Sequence, residues 1–169
     1  MKSLTFILFV LLSVIVVLSL LFVKKQTQNQ LKAQTAKAMV ITCMDFRLID
    51  DAVKYLNAHG YNNNYDEFIL AGASLGYNQT KFAAWTESLD KHIELAKQLH
   101  QIKEVIVIDH MNCGAYKLLY DKKTLSETEE TVLHQENFVK FKETIKTKYP
   151  DLTVKTLLMK LNGEVVEFE

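Results

Sequence analysis

The pattern of apolar residues near the start of the chain differs from the pattern in the rest. From Leu4 to Val23 the chain is apolar apart from Thr5, Ser13 and Ser19, and it carries no charge. A helix of that length, at about 1.5 Å per residue, would cross the roughly 30 Å hydrocarbon core of a bilayer. We therefore expect residues 1–25 to form a transmembrane anchor. A cleaved signal peptide is the alternative, although its apolar region is usually only about 7–15 residues long.

Beyond a polar linker at residues 26–37, short apolar runs alternate with amphipathic stretches through a predicted domain at residues 38–169. Buried strands are typically short and β-branched, whereas helices repeat apolar residues every three or four positions. The expected strands are Ala38–Cys43, Glu67–Leu70 and Glu104–Asp109, and the expected helices are Leu48–His59, Thr80–His100 and Ser126–Lys148. Two last segments, Leu152–Leu161 and Glu164–Phe168, flank Asn162-Gly163, a strong hairpin signal.

This alternation predicts an α/β fold, a mostly parallel sheet flanked by helices on both faces with a C-terminal hairpin, preceded by a single N-terminal transmembrane helix. Ligands of such sheets bind beyond the carboxyl ends of the strands. Cys43 ends the first predicted strand and Asp109-His110 ends the third. Chemistry is expected at this edge if the two strands are neighbours.

Charge limits the partners and suggests an orientation. The chain has 20 basic and 20 acidic residues and no basic patch, which argues against a nucleic-acid partner. Lys24, Lys25, Lys32 and Lys37 follow the apolar segment, whereas only Lys2 precedes it. The positive-inside rule then predicts a single-pass membrane protein whose soluble domain is cytosolic.

Two short segments carry the candidate chemistry, Cys43-Met-Asp-Phe-Arg47 and His110-Met-Asn-Cys-Gly114. Two thiolates and an imidazole suit zinc, and three protein ligands leave the fourth position open, as in catalytic sites. Asp45 and Arg47 stand two residues apart, and arginine can hold a carboxylate with two parallel hydrogen bonds. Taken singly, the same residues are also compatible with buried cysteines, a loop histidine, a disulfide or a redox pair.

The motifs Cys-x-Asp-x-Arg and His-x-x-Cys-Gly together resemble the two signature motifs of the β-carbonic anhydrases, and the resemblance extends over Ala38–Tyr116. It implies that Cys43, His110 and Cys113 bind Zn²⁺ and that Asp45 and Arg47 form the catalytic dyad. The implied reaction is the reversible hydration of carbon dioxide to bicarbonate by a hydroxide bound to zinc. Members of the family usually form dimers, so a homodimer is expected.

Two other functions stay open at this point. One is a non-catalytic zinc-binding module that keeps the site for folding or interaction. The other is a zinc hydrolase acting on a related small electrophile such as carbon disulfide. Ile69-Leu70 stands where β-carbonic anhydrases typically carry Arg-Asn, whereas Asp45 and Arg47, which a purely structural site does not need, are both present.

Structural rather than chemical roles are predicted for the other residues that stand out in the sequence. Ala71–Gly76 lacks the lysine of a phosphate-binding P-loop and is expected to form a wall of the zinc pocket. Tyr116 is expected at the edge of that pocket or in the core. The other four histidines are placed on helices away from the strand ends, with surface or core roles: His59, His92, His100 and His134.

Overall fold

The computed structural model describes residues 11–23 and 35–168, and the chain divides between Gln34 and Thr35 into two compact units. In the first unit, residues 11–23 are helical and are labelled α1. No helix within these two ranges is long and apolar enough to span a membrane. This finding corrects the predicted transmembrane helix, and with it the single-pass localisation and membrane association. The rest of the predicted anchor and most of the predicted linker lie outside the described residues.

The second unit is built on one five-stranded sheet. Its strands are β1 (Ala38–Thr42), β2 (Tyr65–Ile69), β3 (Glu104–His110), β4 (Thr153–Met159) and β5 (Val165–Phe168). Their order across the sheet is β2-β1-β3-β4-β5; the first four are parallel, and β5 pairs with β4 antiparallel. The mostly parallel sheet and its closing hairpin are thereby confirmed, and the first and third strands are neighbours, as the predicted site requires.

The helices of this unit lie near their expected places. They are α2 (Ile49–Ala58), α3 (Ser74–Asn78), α4 (Ala83–His100), α5 (Gly114–Leu119) and α6 (Glu127–Lys148), with short 3-10 turns at Phe46–Leu48 and Thr80–Phe82. Helix α6 begins at a capping box, in which Ser126 and Glu129 each accept a hydrogen bond from the other's backbone N–H. The sequence pattern did not predict α3 and α5, which are too short to show a helical period.

Alternating side chains of the sheet face two apolar layers. Met39 and Ile41 pack with residues of α4 and α6, whereas Ala38 and Val40 pack with residues of α2 on the opposite face. Every residue of β1 is buried, as expected of a strand covered on both sides. This packing fixes the register of β1 and therefore the level at which Cys43 leaves the sheet.

Candidate metal centre

The carboxyl ends of β1 and β3 bring three donor side chains together. Thr42 lies opposite Ile108 in the sheet, so Cys43 leaves β1 beside the end of β3, where His110 stands. Cys113 follows in the turn before α5. The donor atoms of Cys43, His110 and Cys113 all lie within 4.8 Å of one another. The structure therefore forms a Cys-His-Cys cluster that is compatible with a metal ion.

The imidazole of His110 is oriented by the backbone. Its Nδ1 lies 3.0 Å from the carbonyl oxygen of Met111 and is assigned as the donor there, which leaves Nε2 without a proton. The residue is only 2% exposed, and Nε2 has no hydrogen-bond partner among the described residues. Burial lowers the pKa of His110, but the adjacent Cys43 and the Met111 carbonyl oxygen outweigh it, so the pKa is raised overall. An oriented histidine with a bare, buried nitrogen is the usual arrangement of a metal ligand.

The two sulfur atoms of the cluster are in contact with each other and differ in acidity. Their Sγ atoms are 4.0 Å apart, about twice the length of a disulfide bond, and both cysteines are free. The hydrogen bond from Cys113, together with the nearby imidazole of His110 and the Gly72 N–H, outweighs burial and lowers the pKa of Cys43. The same contact and burial raise the pKa of Cys113. Cys43 is therefore the first of the pair to become a thiolate.

The loop after β2 supports Cys43 from the side, although Ala71–Gly76, predicted to form a wall of the zinc pocket, does not line the cavity next to the cluster. The backbone N–H of Gly72 donates to Cys43 Sγ at 3.3 Å. Gly72 has a φ of 73°, and a Cβ at this position would lie 3.0 Å from the Cβ of Ala115. Only glycine meets both the left-handed backbone and the close approach without strain.

Asp45 and Arg47 form the bidentate pair that their spacing predicts. Arg47 Nε donates to Asp45 Oδ1 at 2.9 Å and Nη2 donates to Oδ2 at 2.6 Å, while the Arg47 backbone N–H also reaches Oδ1 at 3.1 Å. The hydrogen bond from Arg47 lowers the pKa of Asp45 to about 2, so this carboxylate is ionised at neutral pH. Asp45 Oδ2 lies 3.8 Å from His110 Nε2, which places the dyad beside the three donors.

Behind the cluster, the carboxylate of Asp109 is buried and receives four hydrogen bonds. Oδ1 accepts from the Ser74 backbone N–H at 2.9 Å. Oδ2 accepts from Ser74 Oγ at 2.5 Å, from Tyr116 OH at 2.6 Å and from His134 Nδ1 at 2.9 Å. The carboxylate thus ties the end of β3 to α3, α5 and α6 at once.

Sequence reasoning missed this network. His134 lies on a helix with a fully buried ring, which agrees with its predicted core role, but the ring contacts Asp109 near the end of β3, so its predicted place away from the strand ends is wrong. Sequence reasoning also missed Glu130, whose carboxylate accepts from the backbone N–H groups of Asn112 and Cys113. A signal was present in α6, where Glu130, His134 and Asn137 fall on the same helical stripe as Phe138 and Phe141. Polar residues in phase with an apolar stripe indicate buried polar contacts.

A cavity of about 150 Å³ opens next to the cluster, between α2 and the ends of β1, β2 and β4. Cys43 and His110 form one part of its wall. Most of the remaining lining is apolar and includes Met44, Leu48, Ile49, Val53, Ile69 and Met159. A small uncharged molecule can therefore reach the donor cluster through an apolar space.

Comparisons with known proteins agree with this architecture. A family model described as "Putative carbonic anhydrase" matches residues 33–168. Uncharacterized proteins of Rickettsia conorii and Rickettsia bellii are each 40% identical over 131 residues, which cover 77% of this chain and 70% and 80% of theirs.

Two solved structures share the fold. The β-carbonic anhydrase CafD of Aspergillus fumigatus aligns with a TM-score of 0.56 and 8% identity, over 82% of this chain and 92% of CafD. The β-carbonic anhydrase CcaA aligns with a TM-score of 0.55 and 16% identity, over 86% of this chain and 79% of CcaA. At these identities the likeness concerns the fold alone.

Proposed function

Because the chain belongs to the carbonic anhydrase family, we propose that it binds zinc through Cys43, His110 and Cys113 and catalyses the reversible hydration of carbon dioxide to bicarbonate. The observation that carries this proposal is the position of Asp45. Its carboxylate is fixed by Arg47 and stands 3.8 Å from His110 Nε2. A zinc site that serves only folding or interaction does not need an oriented carboxylate beside its ligands.

The donor set suits zinc in type and spacing. Two thiolates at about 2.3 Å from a tetrahedral zinc ion would lie about 3.8 Å apart, and the Sγ atoms of Cys43 and Cys113 are 4.0 Å apart. The bare Nε2 of His110 supplies a third donor that has no other partner among the described residues. Three protein ligands leave one tetrahedral position for solvent or substrate.

The residues around the cluster would then have separate roles in the reaction. Bound zinc lowers the pKa of a coordinated water to about 7, which makes a nucleophile available at neutral pH. Asp45 stays ionised and keeps lone pairs free to accept a hydrogen bond from the reacting group, which fixes its direction. Arg47 holds the carboxylate in that orientation and is itself held by the carbonyl oxygen of Asn112, 3.2 Å from Nη2.

The cavity supports a small, uncharged substrate. Ile49, Val53 and Ile69 contribute apolar wall, and the space of about 150 Å³ is suited to a molecule of a few atoms. Carbon dioxide enters such a space without losing hydrogen bonds to water. The charged product is poorly solvated there, so its release to water is favoured.

The deciding experiment is stopped-flow hydration of carbon dioxide by the full chain loaded with one zinc per protomer. We expect a rate well above that of buffer. Cys113→Ser should lose both metal and activity, whereas Asp45→Asn should keep stoichiometric zinc and lose at least about 100-fold in kcat, because the amide no longer holds the oriented charge. Zinc-loaded wild-type protein with no rate above buffer would instead establish a non-catalytic zinc module. Unchanged turnover in Asp45→Asn would refute the dyad assignment.

We also propose that the protein forms a homodimer. Met44, Ile49 and Ile69 line the cavity with side chains that are more than half exposed, and neighbouring Phe46 is 82% exposed. Exposed apolar side chains gathered at one place usually mark a contact surface. Sedimentation equilibrium should give twice the monomer mass, and Phe46→Ser should shift the equilibrium toward monomer; a monomer at micromolar concentration would exclude the dimer.

A further inference from the structure

A buried carboxylate on α6 holds the loop that carries Cys113. Glu130 is 3% exposed, and its two oxygens accept hydrogen bonds of 2.8 Å from the backbone N–H groups of Asn112 and Cys113. Asn112 has a φ of 59°, a left-handed conformation that asparagine tolerates better than most residues. This conformation turns two successive N–H groups toward one anion. The loop between β3 and α5 is thus shaped around the Glu130 carboxylate.

The loop between β3 and α5 contacts Arg47 of the dyad and also carries Cys113 of the Cys-His-Cys cluster. The carbonyl oxygen of Asn112 accepts a hydrogen bond from Arg47 Nη2, and the next residue along the chain is Cys113. A shift of this loop would therefore move a sulfur donor and release a contact of Arg47 together. Glu130 contacts neither the Cys113 sulfur nor the Arg47 guanidinium. Its carboxylate bonds instead to the backbone N–H groups of the loop that links them.

Glu130 also belongs to the network behind the cluster. Its Oε1 lies 3.9 Å from His134 Nε2, and His134 Nδ1 contacts Asp109 Oδ2 at 2.9 Å. Asp109 in turn holds the backbone of Ser74, two residues beyond Gly72, which donates to Cys43. The buried imidazole of His134 therefore lies between the carboxylates of Glu130 and Asp109. Glu130 holds the loop that contains Cys113, and Asp109 holds the loop whose Gly72 N–H donates to Cys43.

We propose that Glu130 is a positioning residue that fixes Cys113 Sγ and the Asn112 carbonyl for the metal cluster and the dyad. The identity of the metal rests on the proposed function, but the hydrogen bonds from the loop to Glu130 do not. Charge-assisted hydrogen bonds to backbone N–H groups are among the stronger ones in proteins. Residues that orient metal ligands in this indirect way typically contribute 10- to 100-fold to metal affinity.

The neighbouring Glu129 provides a matched control. Both residues stand in the first turn of α6, where a carboxylate favours the helix by its charge alone. Glu129, however, is exposed and bonds to Ser126 at the helix start, not to the metal loop. An effect of helix charge would appear in both Glu129→Gln and Glu130→Gln, whereas an effect on the loop would appear only in the second.

The test compares these two variants with wild type in the full chain. Glu130→Gln keeps size and one carbonyl acceptor, but its NH₂ group cannot accept the second backbone N–H. We expect zinc affinity, measured by chelator competition, to fall 10- to 100-fold in Glu130→Gln and to stay within about twofold in Glu129→Gln. The thiolate-to-cobalt absorption of Co²⁺-loaded protein should change only in Glu130→Gln. Amide exchange of the metal-free protein should accelerate at Asn112 and Cys113 in that variant alone.

Each result has a definite meaning. Equal zinc affinity, cobalt spectrum and amide exchange in folded Glu130→Gln and wild type would overturn the proposal. Wild-type protein that binds neither zinc nor cobalt would refute the proposed function, while protected amides at Asn112 and Cys113 would still support the hold on the loop. If Glu130→Gln does not fold, wild-type exchange decides: amides at Asn112 and Cys113 that exchange as fast as exposed residues 121–124 would overturn the proposal.

Discussion

Removal of one hydroxyl group should measure how much the buried network behind the Cys-His-Cys cluster contributes to the free energy of unfolding. Tyr116 is fully buried, and its OH donates to Asp109 Oδ2 at 2.6 Å. Burial and the charge of Asp109 raise the pKa of Tyr116 well above its usual value, so the hydroxyl keeps its proton and donates at neutral pH. Tyr116→Phe deletes this bond, and with it the longer contact of 3.3 Å between the same hydroxyl and Ser74 Oγ, without creating a cavity larger than one oxygen atom.

The contacts of Asp109 determine how much free energy of unfolding Tyr116→Phe should lose. A hydrogen bond to a charged acceptor contributes about 1.5–3 kcal/mol to stability, about twice the value for a neutral pair. Asp109 keeps three other donors, two from Ser74 and one from His134, so no uncompensated buried charge is left behind. We therefore expect Tyr116→Phe to lower the free energy of unfolding by about 2 kcal/mol, the middle of that range.

Urea denaturation of the full chain, followed by circular dichroism, measures this loss. The comparison should be made on zinc-loaded and on metal-stripped protein, and the loss should be similar in both, because the network does not include a ligand atom. Tyr65→Phe is the matched control, since the Tyr65 hydroxyl donates to none of the residues that the structure describes. A loss in Tyr116→Phe no larger than in Tyr65→Phe would refute the reasoning that Asp109 is held by charge-assisted bonds.

Two further predictions concern the dyad and the loop after β2. Arg47→Lys should retain zinc but lose at least about tenfold in kcat by stopped flow, because an ammonium group cannot make the two parallel bonds that fix Asp45; full activity would show that charge alone suffices. Gly76→Ala should lower the free energy of unfolding by about 1–3 kcal/mol, because its Cβ would collide with the carbonyl oxygen of Ala71. Gly114→Ala is the control, since a Cβ there meets nothing within 4 Å, and equal stability of both variants would contradict the packing of this loop.

The positions of the candidate ligands were predictable because they follow from local patterns. A continuous apolar run such as β1 is readable from the sequence, and parallel strands place their carboxyl ends at one edge. Cys43 and His110 could therefore be assigned to the same edge before the sheet order was known. The bidentate contact of Asp45 and Arg47 was predictable for the same reason, since the two residues are close in the chain.

The contacts of Asp109, Glu130 and His134 were not predictable in the same way, because their partners are far apart in sequence. His134 contacts Asp109 across 25 positions, and Glu130 reaches the Cys113 N–H across 17. Such pairs depend on how α6 packs against β3 and α5, which no local period encodes. The predicted transmembrane helix was wrong for another reason: hydropathy does not fix the length of a helix, and no helix within residues 11–23 and 35–168 is long and apolar enough to span a membrane.

The apolar pair that replaces Arg-Asn after the second strand affects the site at one position only. Leu70 is 7% exposed and packs in the core with Met39 and Ile41, so it faces away from the donors. Ile69 is 57% exposed and lines the cavity next to Cys43. The polar groups that orient Asp45 come from Arg47, not from this pair. The departure therefore makes the approach to the cluster more apolar and leaves the contact between Asp45 and Arg47 intact.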